Sequence, residues 1–586
     1  MPKKKASPLK KLYTPWGEIL DREHPLPEYP RPQMRRDSYL NLNGVWEYAI
    51  RENGALPAAY DGEIVVPFSP ESPLSGVDRQ LKPGQTLWYR RTFRLPEGFH
   101  RGRVLLHFGA VDQEAYVNLN GTEIGSHGGG YLPFALDVTD ALTGGENELR
   151  VRVTDTTDDG VYGYGKQKYD RGKIWYTAQS GIWQTVWLES VPDTYITGLV
   201  ITPLYDTGTV RLAITANQGF DKAKAQVYGD GALIAEGAFE GTGCLELSLG
   251  SDFRSWSPED PYLYDLYIEV GSDRILSYFG MRKFSVMEHN GYRVLALNNK
   301  PYYQHGLLDQ GYYSDGLYTP PSDEAMIHDI RTMKEYGFNM LRKHIKIEPL
   351  RWYYHCDRLG MLVWQDMVSG GGPYRSTIIV GLPFLDIHLN DRLYRLFGRA
   401  DKQGRKQYER ECADTVSHLY NCTSLCLWAP FNEGWGQFDA LRIAGMVRKM
   451  DPTRIIDHAS GWHDQGDGDL KSRHVYYHPV RLRNDGRVLA LTEFGGYSLP
   501  VPGHTASEKE FGYRIYRDRS AFMGALIDLY RREVIPLIEA QGLSASVYTQ
   551  VSDVEDEING LLTYDRRVSK ADPERLRELG RKLRFR

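Results

Sequence analysis

The chain has 586 residues, 41% hydrophobic and 25% charged, which fits an ordinary globular protein and excludes a largely disordered one. Its net charge of −5 gives no electrostatic case for nucleic acid or an anionic membrane surface as the main partner. At roughly 100–200 residues per domain, the length suggests about three domains or more.

Met1 to Lys11 are basic with no apolar run behind them, so they read as neither signal peptide nor membrane span, and a cytoplasmic protein is expected. From about Tyr39 to Pro192 the pattern is rich in strands. Leu87 to Leu95 and Val104 to Phe108 are short runs of strand formers. Ala115 to Gly125 reads as a hairpin turning at Asn120-Gly121, the strongest short hairpin signal. Leu149 to Val153 alternates apolar and charged residues, as a half-buried strand does. The expectation is a jelly-roll β-sandwich over 1–196. From about Gly198 to Val286, Val210 to Thr215, Ala225 to Tyr228 and Leu245 to Leu249 are short strands between Gly- and Asp-rich turns, predicting an immunoglobulin-like β-sandwich over 197–286.

After about Tyr292 the rhythm changes to strand, helix, strand. Tyr302 to Leu308 is apolar and ends in Asp309 and Gln310. Ser322 is placed to cap a helix whose Met326, Ile330 and Met333 recur at helical spacing, with Gly337 at its end. Further apolar runs end at Arg342, at Asp366, at Glu433, at Asp457, at Tyr477, at Glu493 and at Gln550. Repeated units of this kind predict a (β/α)8 TIM barrel over 287–586, giving a multidomain β plus α/β chain. Polar residues collect after each run, at the face where barrel active sites sit. Gly371 to Gly404 is a long insertion after the third strand, expected to wall a pocket.

Five cysteines, an odd and sparse set, argue against a disulfide framework. Cys422 and Cys426 have no His or Cys partners at zinc spacing, so no metal and no cofactor is expected. Asn120 and Asn421 begin glycosylation sequons that read as chance matches. The 40 Tyr and 12 Trp suit large β-sheets, and also sugar rings, whose apolar faces stack on aromatic side chains.

Glu433 and Glu493 each end a predicted barrel strand and are followed by glycines and aromatics. Cleaving a glycosidic bond with retention takes a carboxylic acid that protonates the leaving oxygen and a carboxylate about 5–5.5 Å away that attacks the anomeric carbon. Two glutamates on one barrel face can meet that geometry. Asn432 can hydrogen-bond the hydroxyl beside the reacting carbon, and Trp435 gives Glu433 an apolar neighbour that favours its protonated form. Glu493 then needs hydrogen-bond donors, and Tyr476, Tyr477, His478 and Arg342 are the candidates. No Gly-x-Ser-x-Gly elbow, His-Glu-x-x-His or P-loop motif points to another enzyme class.

These segments resemble glycoside hydrolase family 2. Asn43-Gly-Val-Trp-Glu-Tyr, Gly128-Gly-Gly-Tyr-Leu-Pro-Phe and Ser180-Gly-Ile-Trp-Gln-Thr-Val-Trp are similar to its sugar-binding domain. Trp256-Ser-Pro-Glu-Asp-Pro-Tyr and Phe279-Gly-Met-Arg-Lys-Phe are similar to its immunoglobulin-like domain and the junction with the barrel. Phe338-Asn-Met-Leu-Arg-Lys-His resembles the strand whose arginine supports the nucleophile. The resemblance implies Glu433 as acid/base and Glu493, in Thr-Glu-Phe-Gly-Gly, as nucleophile. Two segments depart from the family pattern. In His474-Val-Tyr-Tyr-His-Pro a histidine stands where a tyrosine is usual, leaving Tyr477 and His478 as alternatives for the contact to the nucleophile. Arg342-Lys-His344 differs from the usual Ser-His-Tyr-Pro type of run, and no Asn-x-Lys motif for reading a substrate carboxylate follows Glu493.

Around the pair, Asp309, Gln310, Arg342, His344, Asp366, Asn432, Gln550 and Glu555 are candidate binders of sugar hydroxyls, and Trp364 and Trp462 candidate stacking platforms. The expected function is a retaining exo-β-glycosidase acting on terminal non-reducing sugars of an oligosaccharide or glycoside. A β-galactosidase is the leading reading; a β-glucuronidase or β-galacturonidase and an α-L-arabinopyranosidase are the alternatives. A non-catalytic carbohydrate-binding protein is the rival class, and a homo-oligomer is possible.

Overall fold

The computed structural model describes residues 8–586 except Asn53, Thr242 and Asp386 and the side chain of Phe384. Met1 to Ser7 of the basic N-terminal segment therefore lie outside the described residues. In the first β-sandwich, Leu40–Asn41, Val186–Val191, Arg103–Phe108 and Phe134–Asp137 form one sheet. Six strands form the other, with Thr86–Phe93 and Glu114–Leu119 flanking Asn147–Thr154. Asn147–Thr154 buries every second residue, sending Leu149, Val151 and Val153 into the shared core. The hairpin turns at Asn120 and Gly121, both at positive φ (53° and 86°), as a type I′ turn requires. The second sandwich packs a three-stranded sheet on a four-stranded one around Leu212, Val227 and Ile268.

The barrel strands are β1 (Gln304–Asp309), β2 (Met340–Lys343), β3 (Leu362–Asp366), β4 (Leu425–Ala429), β5 (Ile455–Ile456), β6 (Leu470–Val475), β7 (Val488–Gly495) and β8 (Leu543–Thr549). All pair in parallel, in the order β5-β4-β3-β2-β1-β8-β7-β6. β5 and β6 do not pair, so the barrel is nearly closed. Helix α1 (Asp323–Glu335) starts where Ser322 Oγ accepts the Ala325 N–H and ends before Gly337, at φ +91°. Helices α2 (Leu350–Leu359), α3 (Lys402–Leu419) and α4 (Ala440–Met450) follow β2, β3 and β4.

The ideal eightfold alternation is broken at the open seam. Among the described residues no helix lies between β5 and β6 or between β6 and β7. The two connections are rich in Gly, Asp, Arg and Pro, with Gly461, Gly466 and Gly468 in one and Pro479 and Gly486 in the other, and carry no apolar helical period. Leu308, Leu362, Trp364, Leu427 and Val547 fill the barrel interior, so it is a packed core and not a pore. No helix of the described residues is long and apolar enough to cross a membrane. All five cysteines are free thiols.

Candidate active site

Glu433 lies in the loop after β4, and Glu493 is the sixth residue of β7. Both are buried. Glu433 holds a left-handed backbone, φ +52°, which costs a non-glycine residue of order 1–3 kcal/mol and is typical of functional sites. The loop closes because Gly436 follows: at φ +65°, a Cβ there would stand 2.2 Å from the Gly370 carbonyl oxygen. The Glu433 N–H donates to the Ser460 carbonyl at 3.0 Å, fixing the loop to the chain after β5.

A carboxylate oxygen of Glu433, one of Glu493 and a ring nitrogen of His474 all lie within 4.8 Å of one another. The two carboxyl groups have different surroundings. Burial pushes Glu433 up to about 7, against the opposing pull of Lys166 and Arg342. Glu493 instead accepts two strong donors: Arg342 Nη1 at 3.1 Å on Oε1 and the Tyr476 hydroxyl at 2.5 Å on Oε2. Three donor atoms at this spacing raise the question of a metal ion; the cation in contact with them is Arg342, which reaches Glu493 and the His474 ring.

Arg342 organises this face. Nε donates to Asp366 at 3.0 Å, Nη1 to the Thr492 carbonyl at 3.0 Å as well as to Glu493, and Nη2 to Asn432 Oδ1 at 2.7 Å. Asn432 is thereby oriented with its Nδ2 left without a partner, ready for a sugar hydroxyl. His474 sits between the glutamates. Its Nδ1 is 2.8 Å from Glu433 Oε1 and its Nε2 is 3.4 Å from Arg342 Nη1. Arginine only donates, so Nε2 accepts and Nδ1 carries the proton, donating to Glu433. Burial lowers His474 to about 4, so the ring is neutral at pH 7. Gly461 makes room for it: a Cβ there would stand 2.4 Å from the imidazole.

The first sandwich reaches into the barrel mouth through residues 163–177. Gly163 bridges Gly370, the Tyr176 hydroxyl donates to Glu557 Oε2 at 2.5 Å, and the Thr177 N–H donates to Glu555 Oε1 at 2.9 Å. Arg171 pairs with Asp556 at 3.0 Å. Lys166, 5% exposed, holds its ammonium 4.6 Å from the Trp435 ring centre. Its Nζ donates no hydrogen bond to any described residue, and Glu557, Glu433 and Glu493 all pull on it electrostatically.

The candidate residues separate into three groups. Arg342, Asp366, Asn432 and His344 gather around the glutamates; His344 Nδ1 meets Asp366 Oδ2 at 2.7 Å, and its buried Nε2 has no partner. Gln310 and Gln550 lie one step out, in an amide chain running Gln310–Gln550–Asn559–Glu557. Trp462, Tyr477 and His478 line a cavity of about 1210 Å³ that opens beside Glu433, and Tyr374 and Ile379 of the long insertion wall it. Three expectations change. Asp309 points to the helix layer, where Lys343 Nζ reaches it at 2.7 Å, because the strand alternation places it opposite Leu308. Trp364 is barrel core, its Nε1 donating to Gln304 at 2.5 Å. Glu555 clamps the incoming segment of the first sandwich. The hydroxyl on Glu493 belongs to Tyr476, one residue before the two alternatives.

His474, Lys166 and Glu557 were not candidates from the sequence. His474 was findable by period: Leu470, Ser472 and His474 share the buried side of β6. Lys166 and Glu557 carry no local signal.

Residues 77–181 match a family model described as a glycosyl hydrolase 2 galactose-binding domain-like domain, and residues 293–481 match the glycosyl hydrolases family 2 TIM barrel domain. A putative beta-glucuronidase of Formosa agariphila is 26% identical over 355 residues, 56% of this chain and 41% of that protein. A beta-galactosidase of Streptococcus thermophilus is 24% identical over 67% of this chain and 38% of its own length. The chain thus spans about two fifths of these relatives. Among solved structures, an uncultured Clostridium beta-glucuronidase superposes with a TM-score of 0.74 at 18% identity, covering 94% of this chain and 99% of that one, a likeness of fold.

Proposed function

The chain belongs to glycoside hydrolase family 2, and we propose that it is a retaining exo-acting β-glycosidase with Glu493 as nucleophile and Glu433 as acid/base. The observation that carries this reading is the asymmetric pair: two carboxyl groups with oxygens within 4.8 Å, one raised to about 7 by burial, the other held by a guanidinium and a phenol. That spacing suits the double displacement and leaves too little room for the water of an inverting site.

In the first step Glu433 gives its proton to the glycosidic oxygen while a Glu493 oxygen bonds to the anomeric carbon. The carbon–oxygen bond breaks, and the aglycone leaves as an alcohol. The ester so formed removes the negative charge of Glu493, which lowers the proton affinity of Glu433. Glu433, now a carboxylate, takes a proton from water as that water attacks the same carbon. Glu493 is released, and two inversions give net retention. Asn432 Nδ2 would bind the hydroxyl next to the reacting carbon. The segment 163–177 closes one side of the barrel mouth, which favours a chain end over an internal unit.

A neutral pyranoside, with β-galactoside first, is the preferred sugar. With Glu433 protonated, the acids Glu493, Glu557 and Asp366 still outnumber Lys166 and Arg342 at the pair, and a uronate would add one more negative charge. The test is a panel of 4-nitrophenyl β-galactoside, β-glucuronide, β-galacturonide and α-L-arabinopyranoside, with proton NMR of fresh product. The β-anomer should appear first from a β-galactoside; an α-anomer first would remove Glu493 as nucleophile.

A further inference from the structure

The large cavity has a charge that the chain as a whole does not. The sequence holds 71 Lys and Arg against 76 Asp and Glu. Yet Lys168, Lys173, Lys471, Arg473, Arg481 and Arg483 line this cavity, and among the described lining residues Glu433 is the one acid.

Local structure puts those cations there. Strand β6 turns Ser472 and His474 inward, so Lys471 and Arg473 fall on its other face. Past Pro479 the same alternation returns: Leu482 is buried in the barrel-to-helix core, and Arg481 and Arg483 on either side of it are exposed. Four cations therefore share one wall, beside the seam where β5 and β6 fail to pair. Lys168 and Lys173 come from a different part of the chain, the segment of the first sandwich that reaches the barrel mouth.

Three of these six cations, Lys173, Arg481 and Arg483, have no acidic partner at ion-pair distance among the described residues. Lys168 pairs with Asp158 at 2.8 Å and Lys471 with Asp485 at 3.2 Å. Trp175, Trp462 and Tyr513 line the same cavity and offer flat apolar faces. At about 1210 Å³ the space exceeds the roughly 300–1,000 Å³ usual for one small ligand.

From this placement we infer that the cavity leading away from Glu433 is a binding site for the leaving-group side of an acidic oligosaccharide, one carrying carboxylate or sulfate groups. The orientation rests on the proposed role of Glu433, since the residue that protonates the leaving oxygen faces the leaving group. The terminal sugar at the glutamate pair is neutral, and the negative charge lies on the units beyond it. A cleft lined by one sign of charge raises the local concentration of the opposite ion and speeds its capture.

The test uses the full chain with Glu493→Gln, so that bound ligand is not turned over. Calorimetry compares a galactosyl-digalacturonate trisaccharide, a galactotriose carrying 6-sulfates only on the two units beyond its non-reducing end, and neutral galactotriose at low and high salt. At least one acidic ligand should bind about tenfold tighter than galactotriose at low salt, and the gap should shrink as salt screens it. Which acidic ligand binds better names the group. Adding Arg481→Glu and Arg483→Glu should abolish the preference; if that pair does not fold, Arg481→Gln with Arg483→Gln should reduce it. Equal binding of acidic and neutral ligands, or a preference that survives charge reversal, overturns the inference. The same arginine pair in the otherwise unaltered chain should cleave neutral aryl glycosides within twofold of the parent. If the parent cleaves none, the proposed activity falls, while the binding comparison still decides this site.

Discussion

Tyr476 donates its phenolic proton to Glu493 Oε2 at 2.5 Å while its ring lies flat on Tyr513, 3.8 Å away and 8° from parallel. The ring contact fixes where the hydroxyl can point, so the bond to the carboxylate needs no reordering when the sugar ester forms or breaks. A hydrogen bond to a charged group contributes about 1.5–3 kcal/mol, which is a factor of roughly 10–150 in rate if it is lost in the transition state. Tyr476→Phe should therefore lower kcat by one to two orders of magnitude with KM little changed. Tyr477, a residue 57% exposed, should tolerate Tyr477→Phe within about threefold. Steady-state kinetics on an aryl glycoside separates the two; a larger effect at Tyr477 would move the contact to that residue.

The raised proton affinity of Glu433 sets the upper limit of activity in pH. The free enzyme must hold Glu433 protonated to start the reaction, so kcat/KM should be flat below about pH 7 on this side and fall above it. Stability follows the same group. Its folded value, about 7, lies above the ordinary 4.5, so burial favours the neutral form. That contribution is complete below 4.5 and is lost as pH rises through 7. Glu433→Gln, neutral at every pH, should melt above the parent at pH 8 by up to about 3 kcal/mol, and the gap should close near pH 5. Melts of both proteins at the two pH values check the sign.

The two glutamates should differ in how a small anion rescues them. Alanine at either position should cost on the order of 10⁴-fold in kcat with the fold retained. In Glu493→Ala, azide can enter from the vacated face and displace the aglycone directly, giving the α-glycosyl azide. In Glu433→Ala with an activated leaving group, the glycosyl ester still forms on Glu493, and azide attacks it from the other face to give the β-glycosyl azide. Product NMR reads the anomers. The opposite pairing of variant and anomer would exchange the two roles.

Arg342 is the residue that a conservative change should least preserve. Its guanidinium holds Asp366, Glu493, the Thr492 carbonyl and Asn432 at once, a fan of donors that a single ammonium cannot copy. Arg342→Lys should misplace both Glu493 and Asn432 and lower kcat/KM about 100-fold or more. Arg342→Met leaves two buried carboxylates unpaired and should cost about 3–5 kcal/mol of stability. Kinetics and thermal melts distinguish the first effect from the second.

The sequence made Glu433, Glu493 and Arg342 legible because each ends a short apolar run, and a parallel barrel gathers strand ends at one face. That rule fails by one residue at Asp309, where the two-residue period sends the side chain to the helix layer. It also fails at Trp364, whose bulk the barrel interior takes up. Tyr476 and Tyr477 are neighbours of one kind, and only the register of β6 against β7 shows which reaches Glu493. Lys166 and Glu557 were hidden for another reason. They lie 391 positions apart in the chain and come within electrostatic reach of each other only because the first sandwich inserts a loop into the barrel mouth. Neither has a local periodicity that could have announced it.

That loop yields the last expectation. Lys166 is buried over Trp435 with no hydrogen-bond acceptor among the described residues, and its charge is among the influences that hold Glu433 below the value burial alone would give. Removing the charge should raise the proton affinity of Glu433. Lys166→Met should therefore shift the falling limb of kcat/KM upward from about pH 7, whereas Lys166→Arg should leave it in place. A sugar hydroxyl that accepts from the ammonium would add a rise in KM of about tenfold, the loss of one charge-assisted hydrogen bond. A purely structural lysine would lower activity and stability together without moving the pH limb. Full pH profiles of the three proteins make the distinction, and an unmoved limb in Lys166→Met would remove Lys166 from the electrostatics of the pair.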